Sequence, residues 1–539
     1  MTKKQSFLKG ATILGGAGIV IKILGAVFKI PLGNLIGADG MALFQAPYPL
    51  YNWLLVIAAA GIPAAIAKLV AEREVAGDYK GAVQIVSVII KPLMVISTAF
   101  FLGIYFGAPY IAKAVSLPDA VWAFRTISPA LLFVPLMAVY RGFFQGIQKL
   151  EAFAVSQIIE QIFRVAVGLG LAFFFVNKGI QYAAAGATFG AAIGSFGGLI
   201  FIYFLYRYVN KSIFKDRIRL QTVESNQTDK EILKKILVIA IPITVGASIV
   251  PTMNSIDLII VVNRLKGMIG VDEARTLYGT LTGFAVTIVN FPQILTSSLQ
   301  ISLVPAISKL HTSYQLSKSE DDRKELQASV VAGIKTSLII GLPCAVGLFV
   351  LAEPIMTLLY SSRYEEALVG AAILRYLTWD LIFLALYQAT TGILIGMGKQ
   401  MLPAKHLATG LVFKVTLTYV LVGMPSIGIY GAAISTVVAF GVASCLNVWT
   451  LSRVDYYQFN VLKTAIKPVL SAGVMGICVW LAYMPLESFV GHKLGTLLAI
   501  ALGGLVYLLM IFKTKTLTPE EFDLLPGGSK LKKLADKIG

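Results

Sequence analysis

Long, almost uninterrupted apolar stretches dominate the chain, separated by short polar breaks. Fourteen can be marked, over about 11–33, 47–70, 82–108, 120–142, 153–176, 182–206, 236–263, 279–304, 329–352, 367–396, 403–424, 428–451, 461–484 and 494–512. A bilayer core of about 30 Å is crossed by about 20 apolar helical residues, so each stretch predicts a membrane-spanning helix. The pattern therefore predicts an all-α polytopic membrane protein.

The pattern also repeats. Arg125, Leu131, Phe133, Leu136, Gly142, Gly146, Lys149 and Arg164 return 250 positions later as Arg375, Leu381, Phe383, Leu386, Gly392, Gly396, Lys399 and Lys414. Ala65-Ile66-Ala67-Lys68-Leu69 returns as Ala306-Ile307-Ser308-Lys309-Leu310, and Gly186-Ala187 as Gly431-Ala432. A duplicated membrane unit predicts two pseudo-symmetric six-helix lobes related by an axis along the membrane normal. The N-terminal lobe is expected over 1–206, a basic cytoplasmic linker over 207–235 and the C-terminal lobe over 236–451. Two further spans follow over 452–513, with no counterpart in the repeat, and then a basic cytoplasmic tail over 514–539. In that tail Leu531, Leu534 and Ile538 alternate with lysines, which fits one short amphipathic helix on the membrane surface as well as a solvated tail.

Composition agrees: 57% of residues are hydrophobic, 14% charged, and the mean hydropathy is +0.78. Of the 46 Lys and Arg, 31 fall in or beside the termini and even-numbered connections, seven beside the odd-numbered ones and eight within spans. That bias places both termini in the cytoplasm. The net charge of +18 then reads as topology and contact with anionic phospholipids, not as nucleic-acid binding. Lys3, Lys4 and Lys9 resemble a signal-peptide start, but the apolar run that follows is too long, which predicts an uncleaved first span. Cys344, Cys445 and Cys478 sit in predicted spans without metal or redox spacing.

No phosphate loop, HExxH or GxSxG element is present, so neither an enzyme nor a resident cofactor or metal is expected. His311, His406 and His492 lie apart near loops and are expected to be ordinary surface residues. Charge inside spans carries the chemistry. Gly18, Lys22, Gly25 and Lys29 share one face of the first helix. A central charge facing lipid costs about 2.5 kcal/mol or more, so this stripe is expected to face a polar path. Glu160 and Arg164 stand at i, i+4 and are expected to pair. The repeat keeps the cation as Lys414 but has Gly410 in place of Glu160, leaving Lys414 for an anion or a distant carboxylate. Asp257 and Arg264 follow Lys22 and Lys29 by 235 positions, setting an acid in one copy where the other has a base. Asp257 is therefore expected to meet Lys22 or a coupling cation. Asp380, five residues after Arg375, is expected to pair with it in part. Arg125 and Arg375 read as interfacial anchors or as a gate.

The run Arg141-Gly142-Phe143-Phe144-Gln145-Gly146, followed by Ser156-Gln157-Ile158-Ile159-Glu160-Gln161 and Arg164, resembles the RGxFQG…SQxxEQxxR signature of a polysaccharide-biosynthesis family. That family includes stage V sporulation protein B and Gram-positive MurJ-type lipid II flippases, within the multidrug/oligosaccharidyl-lipid/polysaccharide exporter superfamily. The resemblance extends to Gly37-Ala38-Asp39-Gly40 and to Lys22-Ile23-Leu24-Gly25. The arginine often found in the second helix of the flippases is absent, and Asn52 stands in that region. The resemblance implies fourteen helices, two lobes, alternating access for a polyprenyl-pyrophosphate-linked saccharide, and a lateral groove for the lipid tail at the last two helices.

The expected function is thus a flippase for a lipid-linked saccharide, a peptidoglycan precursor, in the bacterial cytoplasmic membrane. Lys22, Lys29, Asn52, Arg164, Arg264 and Lys414 are expected at the substrate, and Asp257, Glu160, Arg125, Arg375 and Asp39 in coupling or gating. Energy would come from sodium, protons or membrane potential. A monomer is expected, with cell-wall synthases as candidate partners. The alternatives are a cation-coupled multidrug antiporter, which needs a carboxylate-lined cavity, and a non-transporting scaffold.

Overall fold

A computed structural model describes residues 3–221, 223, 227–453, 461–514 and 516; the side chains of 3–15, 19, 213 and 461–463 fall outside the description. Lys3, Lys4 and Lys9 belong to that set, and the tail helix expected around 531–538 also lies outside the described residues. All the regular structure among the described residues is helical. Ten helices are long and apolar enough to cross a membrane, and thirteen if each of three bent pairs is one span. The chain forms two compact units, Met1–Gly279 and Thr280–Gly539.

The first unit begins with α1 (Lys3–Gln45), broken at Gly37, whose φ of 67° lies in the left-handed region. Next come α2 (Pro47–Ala59), α3 (Ile62–Val75) and α4 (Tyr79–Ala114), then α5 (Val121–Ile127) and α6 (Ala130–Gly146). A tight pair, α7 (Leu150–Phe175) and α8 (Ile180–Val209), follows. A π-helical turn over Asn210–Phe214 then leads into α9 (Lys215–Leu220). The unit closes with α10 (Asp229–Ala247), α11 (Ile249–Ile269) and α12 (Val271–Gly279). The duplication assigns 236–279 to the second copy, yet α10 packs on α3 and α11 on α2 within this first unit. At Gly61, a Cβ would lie 2.2 Å from the Ala240 carbonyl, so only glycine permits that approach. Asp78 caps α4 through the Gly81 amide at 2.8 Å, and Thr228 with Glu231 forms a capping box on α10.

The second unit runs from α13 (Val286–Val289) through α14 (Gln293–Ser317), α15 (Glu320–Val350), α16 (Ala352–Leu359), α17 (Tyr364–Leu377) and α18 (Asp380–Gly396). It ends with α19 (Met401–Val422), α20 (Tyr430–Ser452) and the 53-residue α21 (Val461–Lys513), which breaks at Gly491 with φ 79°.

The duplication is visible in the packing. A Cβ on Gly142 or Gly146 would meet the carbonyls of Pro63 and Ala67 at 2.8 Å; on Gly392 or Gly396 it would meet those of Gln300 at 2.8 Å and Val304 at 2.9 Å. The offset between these partners is 237, against 241 for the matching pentapeptides, so the two copies differ there by four residues, about one helical turn. The helix breaks before α6 and α18 also correspond. Ser128 donates to the Arg125 carbonyl and Thr378 to that of Arg375, each at 2.8 Å, a side-chain bond that bends helices.

Candidate functional site

The stripe of α1 that carries Lys22 and Lys29 turns toward the polar stripe of α7. A Cβ added to Gly25, between the two lysines, would lie 3.8 Å from Gln161 Nε2. One turn further along, Phe28 packs on Gly168 and tilts against Phe44 at 5.6 Å. Lys22 is open and Lys29 half-buried. The charge acting on Lys29 is Lys22 of the same helix, so the two reinforce one positive field.

Beside it on α6 and α7 lies a partly buried ionic cluster. Arg164 Nη2 donates to Glu160 Oε1 at 3.0 Å, the spacing expected from the sequence. A second arginine shares the carboxylate: Arg141 Nη2 donates to Glu160 Oε2 at 3.0 Å, and its Nε donates to Ser156 Oγ at 2.8 Å. Arg141 also stacks over Phe153. Tyr48 and Tyr51 of α2 lie within electrostatic range of Arg164. Lys22, Lys29, Arg141 and Arg164 against Glu160 make four cations and one anion, a net of +3. Such a layer, with phenols beside it, has the charge and the hydrogen-bond donors to substitute for water around an anion.

In the sequence Arg141 stands out only as part of the Arg141–Gly146 motif. Its signal was there: Thr391 stands at its repeat position (141 + 250 = 391), so one copy spends a cation where the other does not. Tyr48 and Tyr51 had no signal beyond aromatic content.

The remaining candidates are dispersed. Asp39, just past the break in α1, is held by Arg275 of α12 through two bonds of 2.8 and 2.6 Å, with Thr276 Oγ1 at 3.1 Å. Arg275 Nη1 also donates to Asp119 at 2.8 Å. Arg275 was missed, although it stands one residue from the repeat position of Asp39 (39 + 235 = 274). Asp257 on α11 lies in electrostatic range of buried Tyr278, and Arg264 is half-buried two turns further on. Asn52 is exposed on α2. Arg125 sits over the rings of Trp122 at 5.4 Å and Tyr105 at 5.7 Å, a cation–π arrangement that suits an anchor.

In the second unit Lys414 is only 2% exposed and Asp380 lies within its electrostatic range. The Arg375–Asp380 pairing expected from sequence is not formed: Arg375 meets Glu353 at 3.6 Å, and Asp380, beyond the 44° bend between α17 and α18, is buried. Two histidines also depart from a plain surface role. His406 Nδ1 lies 2.7 Å from Asn447 Oδ1, and His492 Nδ1 lies 2.9 Å from Glu487. Both are half-buried by helix packing that their loop-proximal positions did not reveal.

The sequence profile described as polysaccharide biosynthesis protein matches residues 7–311, and a second profile, MatE, matches 283–420. The chain is 29% identical to a lipid II flippase MurJ of Bacillus subtilis (strain 168), over 94% of each chain. It is also 29% identical to stage V sporulation protein B of the same strain, over 97% of this chain and 98% of that one. Among solved structures, a lipid II flippase MurJ in an inward closed conformation superposes with a TM-score of 0.67 at 18% identity, covering 94% of this chain and 97% of the other. With more than half its length matched by one profile, a shared fold and near full-length relatives, this multi-pass membrane chain belongs to the polysaccharide biosynthesis protein family.

Proposed function

We propose that the protein is a flippase for a polyprenyl-pyrophosphate-linked saccharide, lipid II, carrying it from the inner to the outer leaflet by alternating access. The observation that carries this reading is the cationic layer on α1, α6 and α7. A pyrophosphate leaving water needs fixed positive charge to replace its hydration, and an apolar path would cost several kcal/mol per charge. Lys22 and Lys29 are the primary contacts, Arg164 sits behind them, and Asn52 and Arg264 complete the set, whereas Lys414, buried beside Asp380, serves packing in the second unit. The named flippase relative supports this cargo. Both termini are cytoplasmic on the charge bias, and the break at Gly491 divides α21 into two spans, bringing thirteen to fourteen. On that topology the Asp39–Arg275–Asp119 cluster lies at the outer end of the path and acts as its closure.

Lys22→Ala in reconstituted vesicles loses lipid II translocation while inserting and accumulating normally. Normal translocation by that variant contradicts the proposal. Asp257 is proposed as the coupling carboxylate, because its repeat partner is Lys22. Translocation by Asp257→Asn loses its dependence on whichever of the sodium, proton and electrical gradients drives the native protein; unchanged dependence makes Asp257 structural.

The MatE match over 283–420 favours a second reading, a cation-coupled drug antiporter. It requires a net acidic cavity, whereas the layer here is net positive. Gradient-driven uptake of a cationic dye in the same vesicles separates the two.

A further inference from the structure

The cytoplasmic end of α8 carries a groove that the transport cycle does not use. It has a volume of about 680 Å³ and is lined by Tyr203, Phe204, Arg207, Tyr208, Asn210, Lys211, Lys215 and Ile218. We propose that this groove is a headgroup site for an anionic phospholipid of the surrounding bilayer. The proposal stands independently of the flippase reading.

Three observations meet here. The first is depth. Ile180–Leu220 forms one run of 41 helical residues, about 60 Å at 1.5 Å per residue, against a hydrocarbon core of about 30 Å. The apolar part is spent by Tyr206, and the last turns stand in the headgroup layer. Tyr203, Phe204 and Tyr208 mark that boundary as an aromatic belt does, with Phe204 65% and Tyr208 67% exposed.

The second is charge. Arg207, Lys211 and Lys215 follow each other at intervals of four. The π-helical turn over Asn210–Phe214, with its wider i→i+5 bonding, brings positions four apart closer to vertical alignment. Among the described residues none of the three has a carboxylate partner within ion-pair distance. The neighbouring Arg217 is different: it meets Glu74 at 3.7 Å and lies over the Tyr79 ring at 5.2 Å. Asp216 is the single acid in 207–219.

The third is rigidity. The opposite face of the same segment is anchored, with Tyr206, Val209 and Phe214 buried and Phe214 packed against Tyr79 and Phe143 at 5.6 and 5.5 Å. The cations are thus presented on a fixed scaffold. A phosphodiester of a membrane lipid fits this arrangement: its acyl chains lie along exposed Phe196, Ile200 and Phe204, and its phosphate among the three bases. A free phosphate has no use for the aromatic wall.

The test uses the purified full-length protein in phosphatidylcholine nanodiscs doped with phosphatidylglycerol carrying a photoactivatable acyl chain. Crosslinks should map to residues 196–208, along the path of the acyl chains, and inorganic phosphate should not compete. The Arg207→Gln/Lys211→Gln/Lys215→Gln variant should lose crosslinking there by roughly 100-fold, at about tenfold per 1.4 kcal/mol and about 1 kcal/mol for each interfacial base. A charge-matched variant in the second unit, Lys324→Gln/Lys399→Gln/Lys405→Gln, should keep it, and Lys211→Arg/Lys215→Arg should keep it also. Unfolding temperature checks that each variant is folded. Undiminished crosslinking in the folded triple variant, equal loss in the charge-matched variant, or displacement by inorganic phosphate would each overturn the proposal.

Discussion

The layer around α7 and its counterpart around α19 solve one packing problem with opposite chemistry. In the first unit Arg141, Ser156, Glu160 and Arg164 form an ionic cluster. Their repeat positions are Thr391, His406, Gly410 and Lys414. There, Asn447 donates to Thr390 at 3.0 Å and Thr391 at 3.3 Å and lies against His406, a neutral network. The backbone explains the exchange of Glu160 for Gly410. A Cβ at Gly194 would lie 2.5 Å from the Glu160 carbonyl, and a Cβ at Gly410 would lie 2.4 Å from that of Ala439. These are the same two sites, since 194 + 245 = 439 and 160 + 250 = 410. The close approach of the paired helices requires one glycine, and each copy puts it on a different helix. Where α8 supplies it, α7 is free to carry a carboxylate. Where α19 supplies it, the carboxylate is lost, and the buried lysine finds Asp380 instead.

Neutralising the first cluster should therefore cost more than cutting the second. Glu160→Gln leaves Arg141 and Arg164 together without their counter-ion, and thermal or denaturant unfolding should show a loss of about 3–5 kcal/mol. Asn447→Ala removes neutral bonds whose hydroxyl partners keep backbone acceptors, such as Thr390 to Leu386 at 2.7 Å, and should cost about 1 kcal/mol. Equal losses would mean that the two networks are equivalent.

Gly194→Ala should be destabilising by about 1–3 kcal/mol, since α7 and α8 must separate to admit the methyl group. The same methyl in an Arg141→Thr/Glu160→Gly background, which copies the second unit, should cost much less. A cost unchanged by that background would break the exchange argument.

The duplication makes much of this legible in the sequence alone. Membrane-length helices are readable because an apolar run as long as a bilayer is thick predicts one, and Glu160–Arg164 because i, i+4 spacing fixes a helical neighbour. Arg141 escaped because its partner lies 19 residues away on another helix, a distance that no periodicity reports. Arg275 escaped because a short charged helix between spans reads as a loop. The 236–279 segment belongs to the second copy by its repeat position, and it packs against the first unit through Gly61 and Ala240.

Under the proposed function, the open cations of α1 meet the cargo, whereas the buried lysine of the second unit serves packing. Binding of lipid II to the purified protein tests this with two variants, Lys22→Ala and the paired Lys414→Met/Asp380→Asn. Loss of a charge-assisted contact is worth about 1.5–3 kcal/mol, so Lys22→Ala should weaken binding by roughly 10- to 100-fold. The paired variant removes one cation and one acid together and should bind as the native protein does. Native affinity in Lys22→Ala, with loss in the paired variant, would contradict the account.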